Sequence, residues 1–422
     1  MQIYSTYSVK IKHYNHIFKD TVSVYRGAVD FLITVCLNEW DNISKIDQSQ
    51  KRQQYVERLC HRTNGNPNPV YHFDKKFYKF PNYLRRGAIN EAIGKVSSYK
   101  SNLKNWEETD IKVHGNKPSF PRAGFTYPCM YRTDMYKQTE LYEAKIKVFI
   151  RNTWDWITVK LRKSDMDYIE RRCAGRKKCA PTLQKRGHEW FLDFPFKGRV
   201  TLCDTAVKDQ TVVSVDLGIN TAATVSVMCA DGTILGRKFI NFPSDKDHLY
   251  HVLGRIRRFQ REHSSRQVQS RWDYAKRLNM ELSRKIAAEI TKYAVEYQAG
   301  VIVFEYLEMQ GKISGKKKQK LHLWRKRDIQ KLCEHQAHRN RIRVSRVSAR
   351  NTSRLACDGS GAVVRNPENH SLCIFQTGKQ YNCDLSAAYN IGARYFIREL
   401  LKPLPETERS SLEAKVPAVK RR

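Results

Sequence analysis

Asp216 closes the apolar run Val212-Val213-Ser214-Val215, where an ionised carboxylate is costly unless a cation or hydrogen bonds compensate it. Glu305 ends a second such run, Val301-Ile302-Val303-Phe304, and Asp384 stands just before the helical pattern Leu385-Ser386-Ala387-Ala388-Tyr389-Asn390-Ile391. Any one of them alone reads as a capped or salt-bridged carboxylate. Three together, in the order strand-end Asp, strand-end Glu, helix-start Asp, are a donor set for hard divalent cations. Phosphodiester hydrolysis uses such a set: two ions about 4 Å apart serve the attacking water and the leaving oxygen.

The elements that must carry these residues can be read from periodicity. Thr211 to Ile240 reads as a β-meander with Asp231-Gly232 at a hairpin turn, followed by two long helices over about 248–263 and 271–298. Residues 301–304 form a buried strand, and a helix and strand pair is predicted over about 323–347. Earlier in the chain Phe18, Val22, Tyr25, Val29, Leu32, Cys36 and Trp40 recur at steps of three or four, the stripe of an amphipathic helix, and helical periodicity resumes from Tyr83 toward Trp106. Residues 142–202 alternate instead: Ile157, Val159 and Leu161 interleave with Thr158, Lys160 and Arg162, and Trp190 to Phe194 reads as another strand. The strand pattern Ile3 to Ile11 is expected to complete this β-rich module, with the helical segment inserted into a small barrel.

The 422 residues carry 77 Lys or Arg against 42 Asp or Glu, a formal net charge of +35, so the chain needs a polyanion. With 41% apolar residues it has the composition of a globular protein rather than of a disordered basic tail. No apolar stretch near the N-terminus exceeds seven residues, which predicts no signal peptide, no membrane span and a cytoplasmic location. The eleven cysteines then read as reduced thiols, Cys173 and Cys179 among them.

The basic excess is uneven. Residues 311–360 hold fifteen Lys or Arg against three Asp or Glu, and residues 251–285 hold ten against three. These segments supply Arg255, Arg257, Arg258, Lys316, Lys317, Lys318, Arg325, Arg327 and Arg350 as candidate phosphate contacts. The stretch Tyr71 to Phe80 interleaves aromatics with Lys75, Lys76 and Lys79; it reads either as a surface that stacks bases while neutralising phosphates or as part of a core.

The run Val215-Asp216-Leu217-Gly218-Ile219-Asn220 through Ala223-Thr224, the end Phe304-Glu305-Tyr306-Leu307, Asn351-Thr352-Ser353 ahead of Cys357, and Asp384-Leu385-Ser386-Ala387-Ala388-Tyr389-Asn390-Ile391 together resemble the RuvC nuclease half of TnpB, the transposon-encoded RNA-guided nuclease. They are equally similar to the compact type V CRISPR effectors. The resemblance covers about residues 210–400; it is weaker before that, where Phe80-Pro81-Asn82-Tyr83-Leu84-Arg85-Arg86 and Ile93-Gly94-Lys95-Val96-Ser97-Ser98-Tyr99 are similar to a TnpB-type recognition lobe and add Arg85 and Arg86 to the candidate nucleic-acid contacts.

The resemblance implies an α+β multidomain chain: a β-barrel wedge-like module (1–14 and 116–210), a helical recognition lobe (15–115), an RNase H-like RuvC nuclease domain (211–351 and 384–402), a zinc-ribbon-like insert (352–383) and a basic tail (403–422). It further implies magnesium held by Asp216, Glu305 and Asp384, a guide RNA and a target DNA. Such a family carries two Cys-x-x-Cys pairs in the insert, whereas here only Cys357 and Cys373 occupy matching positions, each without its second cysteine. With His370 or Cys383 they would make a poor zinc site; the other reading is a hairpin kept without metal, so zinc is not expected. The leading expectation is an RNA-guided DNA endonuclease. The alternative is an RNA-guided repressor that binds without cutting, against which all three carboxylates are present. A conventional DNA transposase has no evident helix-turn-helix in its favour.

Overall fold

The computed structural model describes residues 1–13, 16–109, 116–131, 134–262, 268–306, 326–369 and 371–408. The chain divides into two compact units, residues 2–198 and residues 199–422 together with Met1. It is a mixed α+β protein, with four separate sheets among the described residues. No helix among the described residues is long and apolar enough to cross a membrane.

In the first unit β1 (Gln2–Lys10) precedes five helices: α1 (Ile17–Asn38), α2 (Trp40–Ser44), α3 (Ser49–Cys60), α4 (Phe73–Lys76) and α5 (Asn82–Glu107). The stripe Phe18, Val22, Tyr25, Val29, Leu32 and Cys36 is the buried face of α1, as its period requires. After the helices come β2 (Tyr136–Glu140), β3 (Glu143–Ile150) and β4 (Thr153–Lys160), an antiparallel sheet of their own, then α6 (Lys163–Cys173), β5 (Lys177–Lys178), β6 (Thr182–Arg186) and β7 (Glu189–Arg199). β1 pairs with β7, so the N-terminal strand joins the strands beyond the helices, and a bridge from Ile11 to Leu161 links it to the end of β4. The strands thus form a three-stranded and a four-stranded sheet. Three aromatics of 71–80 pack inward while Tyr78 is exposed: Phe73 is fully buried and Phe80 nearly so, and their rings pack with Phe31, Phe77 and Trp154.

The second unit is organised by one five-stranded sheet. Its strands are β8 (Thr211–Asp216), β9 (Ala223–Cys229), β10 (Ile234–Ile240), β11 (Val301–Tyr306) and β12 (Arg343–Ser348), in the order β10-β9-β8-β11-β12. The first three form the antiparallel meander, turning through Gly232, while β8, β11 and β12 run parallel. Two helices separate β10 from β11: α7 (Pro243–Glu262) and α8 (Gln269–Glu296). α7 begins earlier than hydrophobic period alone suggests, because Pro243 has the fixed φ suited to a first helical position. α9 (Lys326–Arg339) precedes β12; a small sheet of β13 (Val364–Arg365), β14 (Leu372–Ile374) and β15 (Gln380–Asn382) follows, and α10 (Cys383–Leu401) ends the described fold.

Each face of the large sheet has its own core. Val213, Val215, Ile302 and Phe304 point to α8 and α9, meeting Ile286, Ile290, Ile329 and Cys333. Val212, Val301, Val303 and Val347 point the other way, onto Ile391, Tyr395 and Phe396 of α10. The alternation is that of strands buried on both sides. α10 lies close because Gly392 has no side chain: a Cβ there would stand 3.1 Å from Met228 Sδ and 3.2 Å from Ser214 Oγ. Phe304 is fully buried at the centre of the first face, one residue before Glu305. Phe304→Ala is expected to destabilise the chain by about 3–5 kcal/mol, measured by denaturant unfolding of the second unit's transition; a loss below about 1 kcal/mol would contradict this packing.

Candidate active site

β8 and β11 are adjacent and parallel, with Phe304 opposite Val215, so the next residues, Glu305 and Asp216, lie level on neighbouring strands. Side chains alternate along a strand, which gives Asp216 the face of Val212 and Ser214, and Glu305 that of Val301 and Val303. That is the face α10 covers. Asp384 lies in the first turn of α10, whose start is fixed by Asn382: its side-chain oxygen accepts the Leu385 N–H at 2.9 Å. Sheet register and helix cap therefore bring the three carboxylates together at the carboxyl ends of parallel strands, where open α/β sheets place their ligands.

Burial dominates the electrostatics of all three. Burial first, then the charges of Glu305 and Asp384, push the Asp216 carboxyl up to about 8, against the partial relief of Arg365. Burial also raises Glu305, which is 8% exposed, although the Thr352 hydroxyl, Arg394 and Lys326 draw it back. Asp384 is raised by burial and lowered by Arg365. The Thr352 hydroxyl donates to Glu305 Oε1, and Asn390 on α10 donates to the carbonyls of Thr352 at 2.8 Å and Leu355 at 2.9 Å, clamping the turn that carries this hydroxyl. From the other side Gln330 of α9 donates to the Glu305 backbone carbonyl at 2.9 Å. Glu305 is held from α9, from α10 and from the loop between β12 and β13.

After Asp216 the chain turns sharply. A Cβ on Gly218 would stand 2.6 Å from the Thr221 carbonyl oxygen, so only glycine fits. Lys246 of α7 donates to the carbonyls of Ile219, at 3.2 Å, and of Asn220, pinning this loop.

Three partly desolvated carboxylates, their proton affinities raised, make a site in which an added cation is favourable. The hydroxyl of Thr224, which pairs with Asp216 across the β8–β9 ladder, is buried and finds no protein partner among the described residues. Its place in the register turns it to the same face as Asp216. Among the described residues no group of three His, Cys, Asp or Glu forms a ready-made metal shell.

The other expected residues fall into distinct places. Lys75, Lys76, Lys79, Arg255, Arg257, Arg258, Arg327 and Arg350 are exposed. Lys76 also lies over the rings of Phe31 and Phe77. Arg85 is not a surface cation: it is 4% exposed and donates to Glu57 and Asn82, because the period of α5 points it inward with Leu84, Ala88 and Ile89. Arg86, half-buried, pairs with the same Glu57. Lys316, Lys317, Lys318, Arg325 and His370 lie outside the described residues. Arg365, Lys326 and Arg394, the cations that act on the carboxylates, are not singled out by the sequence, because their approach is set by tertiary packing.

Cys357, Cys373 and Cys383 belong to one small apolar cluster with Ala356 and Phe375. Burial, then the neighbouring Cys383, pushes the Cys373 thiol up to about 12, which keeps it protonated. Burial also raises Cys357.

A family model, that of the Aq_aa04 family, matches residues 5–150. An uncharacterized protein of Aquifex aeolicus (strain VF5), aq_aa04, is 42% identical over 78 residues, 18% of this chain and 43% of that protein, so the match spans less than half of the relative's length. The cryo-EM structure of a Cas12f1–sgRNA–target DNA complex is similar with a TM-score of 0.57 at 14% identity, covering 89% of this chain and 81% of that one. The mini-RNA-guided endonuclease CRISPR-Cas_phi3 aligns with a TM-score of 0.49 at 11% identity, over 94% of this chain and 92% of that one. At such identity the Cas12f1 match shows a shared fold.

The carboxylates set a pH dependence. The raised Asp216 keeps a proton in the folded state that an unfolded Asp loses near pH 4, so ionising it costs stability as pH rises from about 4 toward 8. Without divalent cations, Asp216→Asn is expected to match the wild-type melting temperature near pH 4 and to exceed it increasingly up to pH 8. Added magnesium should raise the wild type and leave the variant unmoved. A variant that is less stable than wild type at pH 8, in metal-free buffer, would contradict this reading.

Proposed function

We propose that the chain is an RNA-guided DNA endonuclease with a RuvC-type active site. The observation that carries this reading is the convergence of Asp216, Glu305 and Asp384 under the N-terminus of α10, in a chain that shares its fold with Cas12f1. The strand order of the large sheet, an antiparallel meander extended by two parallel strands, is what an RNase H-like domain requires. Magnesium, two ions per site, would be held by the three carboxylates and would supply the positive charge that phosphodiester hydrolysis needs.

The chain's own residues do the rest. The Thr352 hydroxyl and the Gln330 amide fix Glu305 in one orientation. Arg365 places a guanidinium where it lowers the charge cost at both Asp216 and Asp384, and it is exposed enough to meet a phosphate. The +35 surplus supplies the phosphate contacts for a guide RNA and its target DNA, while base pairing with the guide supplies sequence choice. Within this reading residues 1–14 and 116–210 act as a wedge, residues 15–115 as a recognition lobe, and the β13–β15 insert as a ribbon that works without zinc.

The test uses the chain purified at low salt with whatever RNA it retains. Asp216→Ala is expected to lower DNA cleavage at least about 100-fold, beyond the usual effect of an outer-shell change, while affinity for RNA and target DNA stays within about threefold, because phosphate contacts dominate it. Loss of binding in parallel with cleavage would count against the catalytic role of Asp216. Preparations free of RNA that still cut a chosen sequence would count against guidance.

A further inference from the structure

Thr224 of β9 is 1% exposed, and its hydroxyl has no hydrogen-bond partner among the described residues. Native folds rarely leave a buried polar group unmet. The neighbouring positions narrow the explanation. Across the ladders Thr224 stands opposite Asp216 of β8 on one side and Phe239 of β10 on the other. Along β9 the next side chain on the same face is that of Ser226. Phe239 offers no acceptor, and the Ser226 hydroxyl is joined to that of Ser214 at 2.7 Å. Asp216 is the neighbour with carboxylate oxygens to offer.

Ser214 and Ser226 also show that the distance can be bridged. They face each other on the same two strands, two residues from Asp216 and Thr224, so the two pairs are of the same kind in the antiparallel ladder and stand about equally far apart. A hydroxyl reaches a hydroxyl there. The aspartate carboxylate lies one bond further out than a serine hydroxyl and turns about two torsions, so a rotation of the Asp216 side chain is enough to bring an oxygen to Thr224.

Burial decides what Thr224 can do. With its oxygen shut off from solvent it meets neither a cation nor a phosphate directly, so it acts through Asp216. Carboxylates that ligate a cation are held by hydrogen bonds from groups behind them, and Glu305 has such a group in the Thr352 hydroxyl.

We propose that Thr224 is a positioning residue: its hydroxyl donates to one oxygen of the Asp216 carboxylate and so sets the direction in which the other meets a divalent cation. The proposal rests on the metal-site reading above and adds a residue to it. Each of the two strand-borne acids is then held by a threonine hydroxyl, Asp216 from β9 and Glu305 from the turn after β12.

The experiment titrates magnesium alone into the full chain, washed free of nucleic acid at high salt, by calorimetry at pH 7, and records melting temperatures of the same preparations with and without the ion. Thr224→Val keeps the branched shape and removes the hydroxyl. It is expected to raise the magnesium Kd about 10–100-fold, yet to melt in metal-free buffer at or above the wild-type temperature, because the hydroxyl it replaces has no partner to lose. Thr224→Ser restores the hydroxyl and should bring the Kd back to within about threefold of wild type. Ser226→Ala gives the opposite pattern: it breaks the bond to Ser214, so it should lower the metal-free melting temperature and leave the Kd within about threefold of wild type. Wild-type affinity in Thr224→Val, an equal loss of affinity in Thr224→Ser or Ser226→Ala, or a Thr224→Val chain destabilised without magnesium would overturn the proposal. A wild-type chain that binds no magnesium would overturn the metal reading itself and this assignment with it, so the two failures are told apart.

Discussion

The second unit is built around the cost of burying three carboxylates, Asp216, Glu305 and Asp384, where β8 and β11 end and α10 begins. Burial raises the proton affinity of all three, the charges of Glu305 and Asp384 add to it at Asp216, and opposing groups surround the recess: Arg365 near Asp216 and Asp384, Lys326 and Arg394 near Glu305, and the Thr352 hydroxyl bonded to it. A divalent cation would relieve the cost that burial leaves at the carboxylates.

The surrounding architecture follows from that need. Parallel pairing of β8 with β11 sets two of the carboxylates level, which a one-residue slip in register would send to opposite faces. The third depends on α10 lying close to the sheet, and small residues make this possible: Ala387, Ala388 and Gly392 present nothing larger than a methyl group. Asn390, on the same helix, reaches the turn that orients Glu305. A single helix thus supplies one acid and positions a second.

Much of this was legible in the sequence, and for a physical reason. A carboxylate that ends a Val-rich strand is an expensive residue in an apolar setting, so Asp216 and Glu305 stand out with no structure at hand. The two-faced burial of β8 and β11 and the stripe of α1 follow from period alone. Contacts set by tertiary packing were not legible. Arg365 comes from a two-residue strand without periodic signal, and the approach of Lys326 and Arg394 to Glu305 needs helices packed on a sheet. Arg85 and Arg86 look alike in sequence, yet the turn of α5 buries one and leaves the other half exposed. The interleaved aromatics of 71–80 allowed two readings; the packing of Phe73, Phe77 and Phe80 with Phe31 and Trp154 puts these three in the core and leaves Tyr78 with Lys75, Lys76 and Lys79 on the surface.

The central claim is that Asp216 carries a proton near neutrality until a cation takes its place. Calorimetric titration of magnesium into the chain at pH 7, repeated in buffers of different ionisation enthalpy, counts the protons released on binding. With Asp216 raised to about 8, close to one proton should leave per chain, and Asp216→Asn should abolish the release. Magnesium binding at pH 7 with no proton release from the wild type would contradict the account.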